Sequence, residues 1–278
     1  MTAVTTPAST STSVPTSTPA TTLDIPERTT PRFGGLNLTL LRIEVVRTLR
    51  NTRTLIFTIG LPVAFFFIFG TNAEYADMRA GNGNVSAYIM IGMALYGALM
   101  ATTGAGAAVS AERAQGWSRQ LRLTPLNPLA YVLTKAASGM VLSLIAVSVV
   151  YLSGLFTKPD MPVSAWVVSF FAVWLGSVMF AAFGLFLGYL LPTENAMQVA
   201  GPLMAVLAML GNVFIPLQPG TLMHDIARFN PMFGLHELAV LPLRSSDFDP
   251  WTVVNVVVWL AIFIGGSAWR MSRDTSRV

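Results

Sequence analysis

Residues 54–73 read TLIFTIGLPVAFFFIFGTNA and contain no Asp, Glu, Lys or Arg. A helix rises about 1.5 Å per residue and the hydrocarbon of a bilayer is about 30 Å thick, so a run of roughly 20 such residues is long enough to cross it. Five further runs share the property: 80–111, 136–157, 161–193, 195–224 and 250–269. The longest of them lack the polar hairpin that two crossings would need at their junction, so each is read as one crossing. The expectation is an all-α integral membrane protein with six transmembrane helices. Their expected bounds are about Thr54–Thr71, Ser86–Ser110, a third helix from just after Lys135 to the Lys158-Pro159 loop, Ser164–Leu191, Ala196–Phe214 and Trp251–Trp269. Pro62 and Pro202 are placed to kink the first and fifth, each leaving a carbonyl for a neighbour to satisfy.

Composition agrees with the runs. The 278 residues are 53% hydrophobic and only 11% charged, where a soluble domain carries about 25% charged residues. With no cysteine, disulfides, thiolate metal sites and thiol catalysis are excluded. Residues 1–23 are also free of charge, but sixteen of them are Ser, Thr or Pro. Such a stretch has too little apolar area to pack, so 1–31 is expected to be a disordered tail and 32–278 a single six-helix transmembrane domain.

The basic residues fix an orientation. Six of them lie in 28–53, four in 112–135 and three in the tail from Arg270, thirteen on one side. Only Arg79, Lys158, Arg228 and Arg244 fall on the other. Cytoplasmic segments carry the Lys/Arg excess, so both termini are expected inside, as six crossings require. The excess is therefore read as topology rather than as a nucleic-acid surface. The strong preference for Arg and Ala over Lys fits a GC-rich bacterial genome, hence the bacterial plasma membrane.

Two cytoplasmic elements stand out. In the stretch 36–53, Leu38, Leu41, Val45 and Leu49 share one helical arc while Arg42, Arg47, Arg50 and Arg53 share another, with Ile43 and Val46 intruding on the basic side. That pattern predicts an amphipathic helix lying along the inner leaflet, its arginines on anionic headgroups. In the connection Glu112-Arg113-Ala114-Gln115-Gly116-Trp117-Ser118-Arg119-Gln120-Leu121-Arg122-Leu123-Thr124-Pro125, Trp117 and Leu121 project from one face of a short helix flanked by Arg119 and Arg122. Such a face suits a protein partner or the lipid interface.

The Glu112-Arg113 pair, the Gly four residues after Glu112, Leu121-Arg122-Leu123-Thr124-Pro125 and the Lys opening the third helix together resemble the type-2 ABC exporter permeases, including drug-resistance and polysaccharide-export subunits. The stretches Val213-Phe214-Ile215-Pro216-Leu217 and Ile226-Ala227-Arg228-Phe229-Asn230-Pro231 resemble that family's outward-facing segment between helices five and six. Trp117 and Phe233 depart from its common pattern. The resemblance implies a half-permease that pairs with a second permease subunit. It also implies that the 112–125 and 36–53 elements contact an ABC-type ATP-binding subunit, and that the 216–245 segment, with Pro216, Arg228 and Pro231, gates the outer mouth. The chain has no Gly-x-x-x-x-Gly-Lys-Ser/Thr, so ATP chemistry is expected on another chain and no catalytic residue or cofactor on this one. A secondary transporter or channel is the competing class, and it would place ionisable residues at mid-depth, where none is found. His224 and His236, twelve apart with no third ligand, make no metal site. The small residues Gly184/Gly188 and Gly97/Ala101/Ala105 predict close helix crossings, within one subunit or between two.

Overall fold

A computed structural model describes residues 37–116, 126–191, 193–214, 217, 220–244 and 248–275. The tail and Trp117, Arg119, Leu121, Arg122 and Pro216 lie outside the described residues. Within them the chain is helical apart from turns, connections and one short hairpin.

The first helix, α1 (Leu38–Leu49), starts where Asn37 accepts a hydrogen bond from the Thr39 amide, an N-cap that occupies one of the amides a helix start leaves unpaired. Asn51 caps α2 (Thr52–Gly70) in the same way. Around Pro62 this helix widens into π turns at Ile56–Gly60 and Phe66–Gly70. Proline has no N–H to give the carbonyl four residues back, and a π turn relieves the resulting clash.

A two-stranded antiparallel hairpin follows, β1 (Arg79–Ala80) and β2 (Gly83–Asn84), with Arg79 opposite Asn84. Gly81, at φ +64°, makes its turn. Asn84 then caps α3 (Val85–Ala114), accepting from the Ala87 and Asp160 amides at 2.9 and 3.0 Å while donating to the Lys158 carbonyl at 2.8 Å.

α3 is the central pillar, buried along most of its length, whereas α2 is mostly exposed. It touches α2, α4 (Pro128–Leu155), α5 (Val163–Leu190) and α6 (Thr193–Leu210). Glycines set those crossings. Gly184 and Gly188 of α5 lie against Thr103, Gly106 and Ala107 of α3, Gly139 of α4 lies against Thr102 and Ala105, and Gly97 faces Thr58 and Pro62 of α2. The Gly184/Gly188 pair and Gly97 thus serve packing within one chain.

α5 breaks at Ser177 between segments Val163–Gly176 and Val178–Leu190. The Ser177 hydroxyl donates to the Trp174 carbonyl at 2.6 Å and pairs with Ser143 at 3.0 Å, and a Gly-Ser step is a recognised place for a helix to bend.

α4 starts at Pro128, seven residues before the expected boundary at Lys135. Asn127 caps it and Pro128 takes the first turn, where the missing N–H costs nothing. Lys135 therefore lies inside the helix.

The segment 216–245 is also more structured than a loop. It contains α7 (Leu222–Ala227), α8 (Pro231–Val240) and a 3-10 turn at Leu241–Leu243. α8 is core, with nine of its ten residues buried, and it packs on α5 and α9 (Pro250–Thr275).

Among the described residues five helices are long and apolar enough to span a bilayer: Thr52–Gly70, Val85–Ala114, Pro128–Leu155, Val163–Leu190 and Pro250–Arg273. The other expected crossing is α6, 18 residues with Pro202 inside. Its described apolar part, Gln198–Leu210, falls short of that length.

Candidate functional site: a buried ion network where three helices meet

The last turn of α3, the second turn of α4 and the middle of α1 converge. Glu112 is carried at the C-terminal end of α3, where the helix dipole is unfavourable to an acid, and two cations compensate it. Lys135 Nζ lies 2.5 Å from Glu112 Oε1 and also pairs with Glu44. Arg47 reaches Glu112 at 2.5 Å and Glu44 at 2.8 Å, and the Tyr131 hydroxyl donates to Glu112. The spacing is helical: Glu44 and Arg47 are three apart on α1, Tyr131 and Lys135 four apart on α4, so each pair shares a face. The Lys135 side chain is only 3% exposed and those of Glu112 and Glu44 are 11% and 13%, while Arg47 is 55% exposed. Two carboxylates and two cations cancel, which is the condition for charges to persist out of water. Burial works against the Arg47 charge, but the hydrogen bond it donates to Glu112 and the attraction of both carboxylates outweigh it and raise its pKa.

The remaining expected residues of this region fall into place around the network. Arg113 donates to the Gly188 carbonyl at 3.2 Å and stacks over Tyr189 at 5.2 Å, tying the end of α3 to carbonyls that α5 leaves unpaired at its own end. Gly116, at φ +75°, has its amide on the Arg113 carbonyl and closes α3, a left-handed cap that glycine adopts without strain. Glu112 and Arg113 thus make contacts inside the chain. On α1, Leu41, Val45 and Leu49 are partly buried within the protein. Leu38, Ile43 and Val46 are 83%, 58% and 44% exposed beside exposed Arg42, Arg47 and Arg50.

The opposite pole has a second network. Arg244 holds Glu237 through two oxygens at 2.5 and 2.8 Å, Asn212 donates to Glu237 at 3.0 Å, and the Tyr88 hydroxyl donates to the Asn212 carbonyl at 2.7 Å. His236 is fully buried against the Tyr88 ring. Arg228 pairs with Asp249 at 3.1 Å, and its carbonyl accepts from Trp251 and Asn255 of α9. Pro231 opens α8 behind the Asn230 cap. No group of three potential metal ligands occurs among the described residues.

Sequence reading missed Glu44, Tyr131 and the buried role of Lys135, as well as Tyr88, Asn212 and Glu237. The only local signal was the helical spacing of Glu44 with Arg47 and of Tyr131 with Lys135.

The fold is that of an all-α, multi-pass membrane protein built around a packed central pillar. Residues 36–240 match the model of the ABC-2 type transporter family, and the chain belongs to that family. A relative named "Putative transport permease YvfS", from Bacillus subtilis (strain 168), is 26% identical over 226 residues, covering 80% of this chain and 91% of its own length. Chains of this family are membrane subunits of ABC transporters and normally work with an ABC ATP-binding subunit.

Proposed function

We propose that this chain is the translocating subunit of an ATP-driven exporter in the bacterial plasma membrane. In this reading it carries an apolar or amphiphilic substrate such as a drug, a lipid or a lipid-linked glycan, it pairs with a second permease subunit, and a separate chain hydrolyses ATP. Both termini and the α1 pole face the cytoplasm. There α1 meets inner-leaflet lipid through Arg42 and Arg50, and the 117–125 connection presents Trp117 and Leu121 to the ATP-binding subunit, flanked by Arg119 and Arg122. Pro216, Arg228 and Pro231 belong to the outer gate.

The observation that carries this reading is the convergence at one pole. The network Glu44–Arg47–Glu112–Lys135 fastens the amphipathic α1 to the two helix ends between which the 117–125 connection runs. A motor docked on that connection would act beside a helix already joined to two spans.

Truncating both large apolar anchors, Trp117→Ala with Leu121→Ala, is the test. A docking hot spot contributes about 2 kcal/mol or more, equivalent to about thirtyfold in affinity. Expression and thermal stability should stay near those of the parent, while recovery of the ATP-binding subunit in detergent drops and ATP-dependent export stops. The purified chain alone should hydrolyse no ATP. Normal export with the partner still bound would reject the docking surface.

A further inference from the structure

The buried lysine at position 135 has a role that neither lipid anchoring nor partner docking supplies. Its Nζ lies between a carboxylate of α1 and a carboxylate of α3, although it is itself on α4. Three helices therefore share one charge balance, and sliding α1 along the others would strand a carboxylate or an ammonium out of water. Apolar contact is weaker here: α1 has no fully buried residue, and its apolar side chains Leu41, Val45 and Leu49 are only partly covered. Arg47 adds a second tie from α1 to Glu112, and Tyr131 fixes Glu112 from α4.

From this geometry we infer that Glu44 and Arg47 are positioning residues which, through Glu112 and Lys135, lock α1, the end of α3 and the start of α4 into one rigid body. Its use in transport rests on the function proposed above. A motor that pushes on α1 or on the 117–125 connection then moves the central pillar α3 directly. Without the lock, α1 would follow the motor or the lipid surface while the spans stayed behind.

The lock can be tested on the chain alone in lipid nanodiscs. The protein has no cysteine, so Arg42→Cys on α1 and Leu129→Cys on α4, both exposed, accept two spin labels without competition. The parent should give one narrow distance distribution. Glu44→Ala with Arg47→Ala removes one negative and one positive charge, leaving Lys135 paired with Glu112 and Tyr131, so the variant keeps its core neutral. It should lose the single narrow peak while its thermal stability stays close to that of the parent. With the ATP-binding subunit bound, ATP should leave the distance unchanged in the parent and shift it in the variant, because only there does α1 move separately. A variant that keeps the narrow peak overturns the inference, as does a parent whose distance already shifts with ATP. Because the measurement on the chain alone needs no partner, the lock can stand even where the proposed function fails.

Discussion

Gly184 has no room for a side chain: a Cβ there would come within 2.7 Å of Thr103 Cα. Gly106, on the facing helix, is in the same position against Gly184 and Leu185. Such backbone-to-backbone approach is how helices gain dispersion contacts where lipid tails offer no hydrophobic drive. Gly184→Val must therefore push α5 away from α3, the most buried of the five described spans, and overpacking of this kind costs about 1–3 kcal/mol. We expect a lower melting temperature in detergent and reduced yield. Gly201→Ala, where nothing lies within 4 Å, should leave the melting temperature unchanged or slightly raised. Equal effects of the two would show that the crossing is not tight. At this scale Lys135 carries the opposite lesson. A lysine beside an apolar run reads as a helix boundary, and nothing local says that residues 23 and 91 positions away neutralise it.

Among the elements, the hairpin pole depends on Asn84. Its side chain caps α3 and joins the hairpin to the α4–α5 connection through Lys158 and Asp160. Asn84→Ala removes all three contacts, and loss of the cap alone costs about 0.5–2 kcal/mol. Asn84→Asp keeps both acceptor contacts but cannot donate to the Lys158 carbonyl. Melting temperature should therefore fall in the order parent, Asp, Ala. An Asp variant as unstable as Ala would assign the stabilisation to the Lys158 contact instead of the cap. The long uncharged runs made four of the spans and α9 legible because length and apolarity are local properties. The starts of α4 and α8 were legible in principle too, since Asn127-Pro128 and Asn230-Pro231 are both cap-plus-proline signals. The burial of α8 was not. Glu237 and His236 look like residues of a wet loop until Arg244, Asn212 and Tyr88 are brought around them by the fold. Of the α1 arc, Leu41, Val45 and Leu49 are partly covered while Leu38 is exposed, and the place of Glu44 depends on a lysine 91 residues away.

Over the whole molecule, the 30 residues of α3 separate the hairpin from Gly116. At 1.5 Å per residue that helix is about 45 Å long, enough to cross the hydrocarbon and both headgroup layers. Asn82, in the hairpin turn, and Ser118, just beyond the other end, should therefore lie on opposite sides of the membrane. Which side is which follows from charge: Arg47, Arg113 and Lys135 lie near the Gly116 end, Arg42 is on the same short helix as Arg47 with Arg50 at its C-cap, and Lys/Arg excess marks the cytoplasm. With no native cysteine, Asn82→Cys and Ser118→Cys each give one thiol for an impermeant maleimide on intact cells. We expect the label at position 82 before permeabilisation and at position 118 only after it. The hairpin's contacts to Leu243 and Arg244 near the end of the α8 segment extend the same answer to that segment: a label at 82 from outside also places the Glu237–Arg244 network at the outer pole. Reaction at 118 in intact cells would reverse the orientation, put the ion network outside, and remove the 117–125 connection from the reach of any cytoplasmic motor.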